Sequence, residues 1–147
     1  MWHDGRFLLR LTGAIYLVGW SLHTADHLRR GLDAVTGEVL WAGNVSGVIA
    51  LVAIGMAFAG HRLAPLAAIA AGLPAALGVA AVHLLPSWGV FSDSLRDGHV
   101  DRFTWAAVLI EIAGALVFGL AGLLVARRTG WHTFTLRRPG RVGNFLS

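Results

Sequence analysis

The sequence predicts an all-α, polytopic integral membrane protein: four antiparallel transmembrane helices packed as a bundle. Three observations predict it. Of the 147 residues, 56% are hydrophobic and only 14% are charged, against about 25% charged in an average soluble domain, so there is too little charge to cover a water-facing surface. Four windows, 7–28, 40–60, 63–85 and 103–126, each come near the roughly 20 apolar residues that a bilayer core requires. The first two connections are short and rich in helix breakers, which forces neighbouring helices to run antiparallel. Residues 1–147 therefore read as one four-helix domain ending in a basic tail, 127–147.

The first window carries Arg6 and Arg10 at its start and an apolar run behind them, the outline of a signal peptide. Behind that run stand His23, Asp26 and His27 in place of a small-residue cleavage site, so the segment reads as a retained helix. Arg29, Arg30, Gly31 and Gly37 mark the first turn, and Gly60, His61 and Arg62 the second. The third window holds Pro74, a candidate kink. The third connection, 86–102, is the longest; it mixes Pro86, Trp88 and Phe91 with Asp93, Asp97, His99 and Asp101, and it is expected to fold over the bundle as a short lid. Asp101 is well placed to cap the fourth helix.

Arginine sets the expected direction, because the chain has no Lys. Eight arginines (Arg6, Arg10, Arg62, Arg127, Arg128, Arg137, Arg138, Arg141) fall at the termini and second turn, and four (Arg29, Arg30, Arg96, Arg102) on the opposite side. Positive-inside bias then predicts a multi-pass protein of the cell membrane with both termini cytoplasmic. The lipid bilayer is the first partner. A pI near 11.3 would suggest nucleic acid in a soluble protein, but no basic stripe or stacking platform accompanies it, so no nucleic-acid partner is expected. The absence of Cys removes thiolate nucleophiles, zinc knuckles and iron–sulfur ligation together. No Ser sits in a nucleophile elbow, and no Gly-rich loop precedes a Lys.

Ionisable groups within spans are costly and mark function by default. His23, Asp26 and His27 stand at i, i+3 and i+4, an arrangement expected to put all three on one helical face. His83 ends the third window, Asn44 lies near the start of the second, and Glu111 stands about eight residues into the fourth, roughly 12 Å deep at 1.5 Å per residue. All four helices thus supply a polar group to the outer half of the bundle. Three imidazoles suit zinc, iron or copper, which makes His23, His27 and His83 the candidate metal ligands. Asp26 is a candidate fourth ligand, Glu111 a candidate acceptor for the second ring N–H of a ligand, and these two carboxylates are the candidate catalytic residues. The implied function is an outward-facing transition-metal site that acts on an apolar or lipid substrate.

Competing readings use the same residues. His27 can cap helix-terminal carbonyls and Asp26 can pair with an arginine at the interface; His83 can snorkel toward headgroups. The polar layer then only locks an accessory or assembly subunit of a larger membrane complex. A third reading places haem b between His23 and His83, making the protein an electron carrier.

Overall fold

The computed structural model of the protein describes residues 2–98 and 100–129. Four long helices account for most of them: α1 (Trp2–Arg30), α2 (Gly37–Phe58), α3 (Ala64–Leu84) and α4 (Arg102–Arg128), with a short 3-10 turn at Leu32–Ala34. Among the described residues there is no strand. The basic tail from residue 130 onward, and His99, lie outside the described residues.

The four helices are not equivalent as spans. Helices α2, α3 and α4 are long and apolar enough to cross a membrane, whereas α1 is long enough but falls short in hydropathy. The reason is the polar residues interleaved along it. Thr12, His23 and Asp26 are all buried, so α1 turns its polar face into the bundle.

Helix α4 is the spine. Half of its apolar window is buried, against 28% for α2 and 33% for α3, because α1 and α3 both pack along it. Small residues permit the approach. A Cβ on Gly72 would meet Ala115 O at 2.5 Å and Gly119 N at 2.6 Å, so α3 and α4 touch backbone to backbone, as membrane helices do where packing replaces the hydrophobic drive. On the other side of α4, a Cβ on Gly114 would lie 2.8 Å from Tyr16 Cα. The core between these contacts is mostly Ala, filled out by Tyr16 and Phe118, whose ring centroids lie 6.1 Å apart. Outward positions stay apolar, among them Phe7, Val48, Trp41 and Leu77, which suits contact with lipid chains.

The two ends of the bundle differ. At one end Arg10 donates to Phe58 O at 2.8 Å and so satisfies a carbonyl at the end of α2. At the other end the connection between α3 and α4 folds back over α3. Asp93 N–H donates to Val82 O at 3.1 Å and Leu95 N–H to His83 O at 2.9 Å, and Leu95 is buried beneath the turn. Asp101 caps α4, accepting from Thr104 N–H at 2.9 Å. That hydrogen bond, aided by Arg29, holds the exposed Asp101 carboxyl below the usual range, so it is ionised at neutral pH and complements the start of the helix.

The α3–α4 contact yields the first prediction. Gly72→Val adds side-chain atoms where the opposing backbone leaves no room, so it should destabilise the bundle by about 2 kcal/mol, within the range for overpacked cores. Thermal unfolding in detergent measures it; a variant as stable as the wild type would contradict the packing described.

Candidate metal centre

Helix α1 brings two imidazoles to the site and α3 brings the third. The nitrogens that His23, His27 and His83 can offer lie within 4.8 Å of one another. Ring centroids are 4.6 Å apart for His23 and His27, 4.7 Å for His23 and His83, and 5.8 Å for His27 and His83. His23 and His83 are buried and His27 is half-buried. Zinc takes imidazole nitrogen at about 2.0–2.1 Å, so the three rings would draw closer to share one ion.

The outer partners of the rings decide which nitrogen each can offer. His23 Nδ1 contacts the Glu111 carboxylate, and with the proton on Nδ1 the lone pair of Nε2 is free. That Nε2 is buried and, among the described residues, has no hydrogen-bond partner. His83 Nδ1 lies 3.0 Å from Asp93 O; a carbonyl only accepts, so this ring also carries its proton on Nδ1 and presents Nε2. Each pairing has the form that orients metal-ligating histidines in general. The approach of α1 to α4 that makes the Glu111 contact depends on Gly19, where a Cβ would sit 2.7 Å from Glu111 Cα.

Asp26 does not join the trio, and the shared face expected for it is corrected. Successive helical residues turn by about 100°, which sets Asp26 on a different line of α1 from His27: the His rings approach His83 of α3, His23 also reaching Glu111 of α4, while Asp26 meets Thr104 at the start of α4. Its carboxylate is fully buried and fully engaged. Oδ1 accepts from Arg29 Nη2 at 2.7 Å and from Thr104 Oγ1 at 3.0 Å, and Oδ2 accepts from Arg30 Nε at 3.0 Å. The arginine pairing weighed for Asp26 is the one observed, and the carboxylate holds the end of α1 against α4 instead of reaching toward an ion.

A cavity of about 700 Å³ lies between α1, α2 and α3. His23, His27, His83 and Glu111 stand in its wall, and most of the rest is apolar, including Trp20, Trp41, Val45 and Val79. Asn44 also lines it. Haem does not fit between the proposed pair. His23 and His83 meet edge-on at 4.7 Å between centroids, which leaves no slot for a flat macrocycle with an axial imidazole on each face.

Two residues of the site escape a reading of the sequence. Thr104 gives no signal there, since a hydroxyl at the start of a span is common. Asp93 is one of several loop acids, and only the fold shows that its main-chain carbonyl orients His83 while its carboxylate takes Arg30 at 2.9 Å. Asp97 accepts from Ser87 N–H at 2.7 Å, which ties the loop to itself.

No protein-family model, no curated protein and no solved structure matches this chain, so its function is read from the geometry of the His cluster.

Asp26→Ala should cost about 3 kcal/mol, because it leaves a buried cluster of arginine and threonine donors without their acceptor. Denaturation in detergent reads this directly; a change below about 0.5 kcal/mol, the size of an ordinary surface substitution, would show that the network contributes nothing.

Proposed function

We propose that this chain is a small multi-pass membrane metalloprotein in which His23, His27 and His83 hold one transition-metal ion, zinc, iron or copper. The observation that carries the reading is Nε2 of His23: a buried nitrogen without a hydrogen-bond partner among the described residues, on a ring whose centroid lies 4.6 Å and 4.7 Å from those of two further imidazoles. A buried polar atom left unpaired costs about 1–3 kcal/mol, and an ion shared by three rings would remove that cost. The donor set fits, since imidazole suits all three metals and no sulfur is needed.

Three protein ligands leave a coordination position open, where a bound ion would supply Lewis acidity or an activated water. Glu111 fixes the tautomer and orientation of His23. The His83 ring is set in the same way by the Asp93 carbonyl. The cavity, apolar over most of its wall, favours a lipid or other apolar substrate that presents a polar group to the ion. For the chain in its membrane, the eight-to-four arginine split supports cytoplasmic termini, with the His cluster toward the outer face of the cell membrane.

Two experiments test this reading. Protein purified without chelator after metal-replete growth should contain close to one ion per chain by elemental analysis, and His23→Ala and His83→Ala should each lose most of it. His61→Ala, in the turn at the opposite end of the bundle, should keep it. Wild-type protein with negligible metal would favour a purely structural polar layer, as in an accessory subunit. For topology, reporter domains fused after Ser147 and within residues 96–101 should report cytoplasm and outside respectively; the reverse result would overturn the orientation.

A further inference from the structure

The third imidazole differs from the other two in a way that bears on how an ion is taken up. His27 Nδ1 lies 3.2 Å from Arg30 Nη2. A guanidinium only donates, so the Nδ1 lone pair is occupied, and in the neutral ring the proton must sit on Nε2. In this arrangement neither nitrogen of His27 has a lone pair to give. His23 and His83, each with its proton on Nδ1, both have one ready on Nε2.

We infer that Arg30 is a competitor for the third ligand and sets the affinity of the site: an ion enters on His23 and His83, and His27 joins it only by giving up Arg30. This rests on the metal reading of the trio. Binding through Nε2 of His27 moves the ring proton to Nδ1, where it would face the Arg30 N–H; binding through Nδ1 takes the very lone pair that Arg30 uses. Either route breaks the contact. Arg30 cannot simply drift away, because Nε is held by Asp26 Oδ2 at 3.0 Å and Nη2 by Asp93 Oδ2 at 2.9 Å. These two carboxylates also balance its charge, so the opposition to the ion works chiefly through the contact with His27.

Cobalt(II) titration of the full chain in detergent tests the inference, with visible absorption reporting both affinity and coordination. Arg30→Met should bind cobalt about tenfold more tightly than wild type, the scale of one hydrogen bond to a charged group. The same substitution in a His27→Ala background should change affinity by less than twofold. A gain of equal size in both backgrounds would assign the effect to charge alone and overturn the inference, as would no gain in either. Should Arg30→Met fail to fold, single variants still decide the matter: His27→Ala should weaken cobalt binding at least tenfold less than His23→Ala, and equal losses would refute the competition. Failure of the wild type to bind cobalt at all is a separate outcome that overturns the metal reading and the competition together.

Discussion

An ionisable side chain within a bilayer-spanning bundle must find a partner or face water, and the contact between His23 and Glu111 is where this chain meets that demand. The rest of the site depends on it. Glu111 lies in the helix with the most apolar span, its carboxylate is buried, and His23 of α1 receives it. That contact forces close approach of the two backbones. Gly19 lies directly against the main chain of Glu111, and any larger residue there would separate the pair that gives His23 its orientation. A glycine in a membrane helix is commonly a packing device; here it also fixes which nitrogen of a histidine is left over.

One turn of α1 serves two neighbours. The His23 and His27 rings approach His83 of α3 beside the cavity, His23 also reaching Glu111 of α4, and Asp26, between them in sequence, gathers Arg29, Arg30 and Thr104. Arg30 links the two sets of contacts because it touches Asp26, His27 and Asp93 at once. The loop after α3 is joined to the same system, through the Asp93 carboxylate on Arg30 and the Asp93 carbonyl on His83. Changes in the His cluster and in the seating of this loop are therefore coupled through a handful of side chains.

Much of this is legible in the sequence, and the parts that are not share a cause. The helices are readable because composition and hydropathy depend on the solvent, which the bilayer fixes. Helix α1 reads in sequence as a span by its length, and its lower hydropathy does not by itself say whether the polar residues face inward, as Thr12, His23 and Asp26 do, or outward. The three metal-ligand candidates are legible because, of seven histidines, His23, His27 and His83 are the three inside the apolar windows, and the antiparallel order brings the end of α1 beside the end of α3. The role of Asp26 is not, because i, i+3 spacing permits either a shared face or the roughly 60° offset that lets a side chain reach a different neighbour. Thr104 and the Asp93 carbonyl are beyond sequence altogether, since a main-chain acceptor is present at every residue and only the fold selects one.

A site of three imidazoles has its sharpest test in X-ray absorption at the metal edge of the loaded protein. Imidazole nitrogens are expected at about 2.0–2.1 Å, as for zinc bound by histidine, with the multiple-scattering pattern of three rings, and that pattern should be lost in His23→Ala. A shell made only of oxygen atoms, unchanged when His23 is replaced, would rule out the His cluster as the metal centre.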